Sequence, residues 1–211
     1  TNNGTVAKRI QFIGRASHAG GAPHLGINAL NAAMMAMTAI NFNRETFRDE
    51  DSIRVHPIIT KGGEAVSAVP ADVRMETFVR GRTLEALMDA NMKVDRALRA
   101  GAMAVGAEVK MQTIPGYMPL QQNKAMAEIF RANAVELVGE ENVGYVDHRG
   151  GSTDMGDISH LMPVIHPYVG GATGLSHGAT YVVEDYDLAV IKGAKAIAYT
   201  VIDLLGDNAS H

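Results

Sequence analysis

Two histidines stand where an imidazole could act on a substrate. His18 lies in Gly14-Arg15-Ala16-Ser17-His18-Ala19-Gly20-Gly21-Ala22-Pro23-His24, a loop of small residues between a strand pattern and a helix pattern. Small neighbours let a substrate approach the backbone and leave the ring uncrowded. A surface loop histidine without a role would look the same, so both readings stand at this point. His24 follows Pro23 at the approach to the helix and reads as structural. His177, in Gly174-Leu175-Ser176-His177-Gly178, follows an apolar strand pattern. Open α/β sheets bind ligands beyond the carboxyl ends of their strands. A neutral imidazole in that place suits zinc or a similar metal.

One histidine is not a metal centre. A catalytic zinc takes three protein ligands, and a pair of metals ~3.5–4 Å apart takes more. No histidine is followed two residues later by Asp, and there is no His-Glu-x-x-His. The Glu140-Glu141 pair falls in a polar turn and reads as solvated. Asp154, Asp157 and His160 are spaced to lie near one another on a helix. The two aspartates equally suit a helix first turn, where carboxylates meet free N–H groups. Ser176-His177 does not read as a nucleophile and its base, because sequence neighbours point different ways and triads come from distant segments. The Gly150-Gly151-Ser152-Thr153 loop could hold an anion through backbone N–H groups. Arg80, at a strand end, is either a solvated charge or a bidentate clamp for a carboxylate.

The chain that must position these groups has 211 residues, 46% apolar and 20% charged, which is ordinary for a globular protein. That length suits one large domain or two of about 100 residues. A net charge of −4 and the lack of a Lys/Arg run argue against nucleic acid as a partner. No apolar run approaches the ~20 residues of a membrane span, so no membrane partner is expected. The polar start Thr1-Asn2-Asn3-Gly4 has no apolar signal core. Without cysteine there can be no disulfide and no thiolate metal site; the cytoplasm is the expected location.

The elements follow from periodicity. Residues 8–13 read as a strand, and Asn28 to about Ile40 as an Ala/Met-rich helix that is apolar nearly all round. Such a helix is either deeply buried or covered by its own sheet on one side and a partner subunit on the other. Residues 52–60 and 73–79 alternate as strands, with Lys61-Gly62-Gly63-Glu64 turning the chain between them. Leu84 to Ala102 repeats at helical spacing, and 107–113 alternates again. The order β-α-β-β-α-β predicts a ferredoxin-like domain over 1–114. Pro115-Gly116-Tyr117-Met118-Pro119 marks the expected boundary. Over 115–211 the pattern predicts a helix at 123–138, strands near 143–146 and 162–169, and a helix from Asp187 to Leu205. Buried strands of that kind belong in a larger sheet, so this part is expected to be an incomplete α/β domain.

Together these segments resemble one family, the di-zinc amidohydrolases and metallopeptidases that include aminoacylase, carboxypeptidase G and aminobenzoyl-glutamate hydrolase. Ser17-His18-Ala19 … Pro23-His24-x-Gly26-x-Asn28-Ala29 resembles the entry to the family's lid. Gly62-Gly63 … Ser67-Ala68-Val69-Pro70 … Arg80 resembles its mid-lid motif. Gly151-Ser152-Thr153-Asp154-Met155-Gly156-Asp157, Ile165-His166-Pro167-Tyr168 and Ser176-His177 resemble its C-terminal catalytic segment, in the aminobenzoyl-glutamate hydrolase and dipeptide-acylase branch.

The resemblance implies roles. His18 would be the lid histidine that reaches a partner subunit's active site and stabilises the tetrahedral oxyanion. Arg80 would hold a substrate carboxylate; Asn28, Gly151 and Ser152 would line the substrate site. His177 would be the last ligand of one zinc, with Mn2+ or Co2+ as other possible metals. The helix at 28–40 would lie at a homodimer interface between lids. The substrate would be an N-acyl amino acid, aminobenzoyl-glutamate or a dipeptide-like amide. The family's first histidine, bridging Asp, Glu-Glu pair and a further His ligand all belong ahead of residue 1. The 211 residues alone are therefore expected to be catalytically inert and to bind metal weakly or not at all. Ser67 stands where the mid-lid motif usually has Asn. The competing expectation is a dimerisation or binding module with no catalytic role.

Overall fold

The computed structural model describes residues 1–206. Two compact units emerge, one made of Thr1–Leu120 with His148–Asp157, the other of Gln121–Asp147 with Ile158 onward.

The first unit is built on strand alternation. In β4 (Asp72–Gly81), Val73, Met75, Thr77 and Val79 are buried while Arg74, Glu76 and Phe78 are exposed, the two-residue period of a half-covered sheet. β1 (Gly4–Ile13) pairs with β4 on one side and with β5 (Glu108–Pro115) on the other, both antiparallel. The stretch predicted as one strand over 52–60 is two: β2 (Arg54–Val55) and β3 (Ile58–Lys61), each pairing with β4. His56-Pro57 separates them, and proline has no N–H for a ladder. The sheet order is β2–β4–β1–β5 with β3 also on β4. With α1 (Ala29–Phe42) and α2 (Leu84–Val105) as the crossovers, this is the β-α-β-β-α-β arrangement.

Both helices bury one face with β1 and β4 in a single core that includes Phe12, Val73, Met75, Leu87, Val94 and Leu98. α1 presents alanines inward: Ala29, Ala32, Ala33 and Ala36 have no exposed surface. Small residues let α2 come close. A Cβ on Gly101 would lie 2.5 Å from the Ala32 carbonyl and 2.6 Å from the Ala36 nitrogen. The outer side of α1 is uncovered, with Met34 54%, Met35 49% and Phe42 72% exposed. The deep-burial reading of this helix therefore fails within the unit. α2 starts at Thr83, whose hydroxyl accepts from the Ala86 N–H, and stops at Gly106, at φ +74°.

The second unit holds α3 (Lys124–Val138), capped by Asn123, and α5 (Gly193–Gly206), which is preceded by one π-helical segment, Asp187–Lys192. Buried Asn133 of α3 joins the two, donating to Thr200 at 3.4 Å and to Asp203 at 2.7 Å. The strands expected near 143–146 and 162–169 are absent. Neither stretch gains a ladder neighbour among the described residues. The Asn123 N–H instead donates to the Val164 carbonyl, and the His166 N–H to the Gln122 side chain. β6 (Ala172–Thr173) and β7 (Val182–Val183) form a two-residue hairpin instead. Among the described residues no helix is long and apolar enough to cross a membrane.

Candidate functional site

His18 is pinned on three sides. It forms a single antiparallel bridge to Ala68, flanked by Ala19 N–H to Ser67 O at 2.8 Å and Val69 N–H to Ser17 O at 2.9 Å. Its carbonyl accepts from the Ala22 N–H at 2.9 Å. Its Nδ1 accepts from the N–H groups of Gly20, at 3.2 Å, and Gly21, at 2.9 Å. The ring is exposed. The loop after β1 and the turn before β4 therefore hold each other, and His18 stands where they cross. Beside it, the Ser17 hydroxyl is buried without a hydrogen-bond partner among the described residues, under Gly26, where a Cβ would come within 2.5 Å of it.

Asn28 does a structural job. Its Oδ1 accepts from the N–H groups of Leu30 at 2.9 Å and Asn31 at 3.1 Å, making it the N-cap of α1. Arg80 lies half-buried near the end of β4, stacked over Phe78 with its guanidinium carbon 5.3 Å from the ring centre. The residue opposite it on β2 is Arg54. Directly opposed like charges are unfavourable, so the pair presents positive potential that an anion would relieve. Sequence reading passed over Arg54, and strand register is the signal that picks it out.

Gly151 and Ser152 belong to the first unit. Gly151 O accepts from the Asn3 N–H at 2.9 Å, Gly150 O from the Asn3 side chain at 3.3 Å, and Arg149 N–H donates to Thr1 O at 2.9 Å. His148 bridges Thr1 and Asn3 through its two ring nitrogens. The loop's carbonyls thus fasten the start of β1. The Ser152 hydroxyl is buried and has no hydrogen-bond partner among the described residues. The carboxylate of Asp157 accepts from the Met118 N–H at 2.8 Å, and that of Asp154 from the Thr153 hydroxyl at 3.2 Å. Asp157 lies in the first turn of α4 (Met155–Ser159), as expected, with its carboxylate on the Met118 N–H.

His177 sits exposed in the loop between β6 and β7, with φ +64°. A left-handed backbone at a non-glycine residue is uncommon and costs energy, and such residues gather at functional sites. Gly178 N–H to Leu175 O at 2.8 Å holds the turn around it. Among the described residues, no three His, Asp or Glu side chains converge as a metal would require. His177 offers one ligand, and these residues do not by themselves fit a zinc centre.

The lid-like sheet with His18 at its loop crossing matches a known family model over residues 1–105, that of the peptidase dimerisation domain. These residues are a dimerisation domain of the M20 peptidase type. It is 30% identical over 206 residues to the Xaa-Arg dipeptidase of Mus musculus, covering 93% of this chain and 47% of that protein. A 72-residue stretch, 34% of this chain and 16% of the relative, is 35% identical to a Haemophilus influenzae homolog of a p-aminobenzoyl-glutamate hydrolase subunit. The chain spans about half the length of the Xaa-Arg dipeptidases it matches. In fold it resembles the aminopeptidase PepT of Bacillus cereus, with a TM-score of 0.69 and 19% identity over 97% of this chain and 52% of that one. The dimerisation domain of this chain thus carries His18, Asn28 and Arg80, while His177 lies beyond the matched residues.

Proposed function

We propose that the protein is a metal-dependent amidohydrolase or peptidase, to which these residues contribute the lid and the C-terminal part of the catalytic domain. It cleaves an amide bond in a substrate that bears a carboxylate, of the N-acyl amino acid, aminobenzoyl-glutamate or dipeptide class. The observation that carries this reading is His18, held rigidly at the crossing of two loops of the dimerisation domain with its ring exposed.

His18 would meet the oxygen on which charge develops when the amide carbonyl is attacked. Arg80, beside Arg54, would take the carboxylate, because guanidinium and carboxylate pair in a planar, bidentate way. Gly151 and the unpartnered Ser152 hydroxyl would line the substrate pocket, and Asn28 can offer only its amide Nδ2, since its oxygen is engaged. His177 would supply one imidazole to a zinc, manganese or cobalt ion. Such an ion needs further ligands from outside the described residues. We assign the dimer contact to the outer side of α1, where Met34, Met35 and Phe42 are exposed, and to the edge strand β3 with exposed Ile58. A chain without cysteine suits the cytoplasm.

The test is hydrolysis by the full gene product of Xaa-Arg dipeptides, p-aminobenzoyl-glutamate and N-acetyl amino acids, with zinc or manganese added. Removing one oxyanion donor costs about 10²–10³ in kcat, so His18→Ala should lose that much with the fold intact. No hydrolysis of any of these amides would overturn the reading. Light scattering tests the dimer. Met35→Asp should convert a mass of twice the protomer into one protomer, and an unchanged mass would remove α1 from the interface.

A further inference from the structure

The hydrogen bonds around His18 decide which of its nitrogens carries a proton. Backbone N–H groups can only donate. Gly20 N–H and Gly21 N–H both aim at Nδ1, at 3.2 and 2.9 Å, so Nδ1 must be the acceptor and the ring proton sits on Nε2. Nε2 has no hydrogen-bond partner among the described residues.

We infer that Gly20 and Gly21 are positioning residues, whose amides hold His18 as the Nε2–H tautomer, so that the lid offers a hydrogen-bond donor and not a general base. The catalytic meaning rests on the amidohydrolase reading above; the tautomer does not. The local construction fits this job. The His18 carbonyl accepts from Ala22, closing a tight turn that brings the two glycine amides under the ring. A Cβ on Gly21 would lie 3.4 Å from Nδ1 and one on Gly20 3.6 Å from Cε1, ordinary contact distances that leave room for alanine at either position. The bridge to Ala68 holds the histidine backbone still while the turn orients its ring. A ring fixed this way presents a proton to an oxygen bearing negative charge. It has no lone pair on its outward nitrogen with which to take one from a water or an amine.

The experiment is a long-range 1H–15N correlation on the uniformly 15N-labelled 211-residue chain, with the His18 signals identified by their loss in His18→Gln. In the neutral ring, Nδ1 should give the shift of an unprotonated nitrogen and Nε2 that of a protonated one. The reverse pattern, or an average of the two, overturns the inference. Gly21→Pro removes one donor and should move His18 toward a mixture of tautomers. Gly21→Ala keeps the N–H and should leave it on Nε2. If Gly21→Pro perturbs the turn as a whole, the wild-type spectrum still decides. In the full enzyme, Gly21→Pro should lower kcat with KM little changed. The two readings fail separately. An Nδ1–H tautomer with His18→Ala still inactivating overturns only the positioning role, whereas an Nε2–H tautomer with no effect of His18→Ala overturns only the catalytic one.

Discussion

Asp72, at the start of β4, gathers a network: Gln11 donates to it at 2.8 Å, Lys61 at 2.9 Å and Arg74 at 3.3 Å. The Gln11 amide, followed by the Lys61 ammonium, lowers its carboxyl from 3.8 to about 2. A folded-state value below the unfolded one stabilises the protein above the unfolded value, and that contribution is lost as pH falls through the folded one. Melting temperature should therefore fall as pH drops from about 4 toward 2, and Asp72→Asn should flatten that limb, as read by circular dichroism. A limb unchanged in Asp72→Asn would remove this carboxyl as its source. Lys61 is shifted the other way, upward from 10.5, first by its hydrogen bond to Glu64 and then by Asp72. Its contribution is present below 10.5 and lost as pH rises through the raised value. At this scale the sequence made it legible that His18 stands in an open loop of small residues. It was uninformative where a side chain's job depends on a distant partner. Nothing in the residue type of Asn28 separates a helix cap from a substrate contact, and nothing near Asp157 announces Met118, 39 residues away.

Elements are held by two features with measurable cost. Lys8, with no exposed side chain, projects from the middle of β1 to Asp95 of α2 at 2.5 Å and to Thr113 of β5 at 2.8 Å. Removing one partner of a buried pair leaves a buried charge, a loss of about 3–5 kcal/mol. Asp95→Ala should accordingly lower the urea midpoint far more than Lys8→Met, which replaces the ammonium with an apolar group of similar shape. Equal losses would show that packing and not charge governs the position. The second feature is Gly101. Alanine is the better helix former by about 1 kcal/mol, yet Gly101→Ala should destabilise the protein, because its Cβ would meet backbone atoms of α1 that cannot rotate away. A gain in stability would show that α1 and α2 can separate at little cost. Strand and helix periods made the β-α-β-β-α-β unit legible because its core closes within the stretch that encodes it. The segments 143–146 and 162–169 read as strands because they are apolar, but a strand is defined by a neighbour's hydrogen bonds, and apolarity does not supply the neighbour.

On the scale of the whole molecule, the first unit is not one continuous stretch. Asn2 and Asn3 are buried at 4% and 0% exposure, and the groups that satisfy Asn3 include Gly150, Gly151 and His148. A chain cut to residues 1–120 should therefore melt lower than the first unit of the whole chain. Each buried polar group left without its partner costs about 1–3 kcal/mol. Hydrogen exchange at the Asn3 amide should quicken at the same time, and unchanged protection would show that residues 148–157 are dispensable. This return was hidden from a linear reading, which placed one boundary at 115–119. The same return has a consequence in time. A ribosome adds about 5–20 residues per second, so the 37 residues from Gln121 to Asp157 take about 2–7 s. In that interval the residues of its sheet and both helices have been made, and those that latch its first strand have not. Anything that slows translation between those positions lengthens the window in which a chaperone or a second nascent chain can reach that unlatched end.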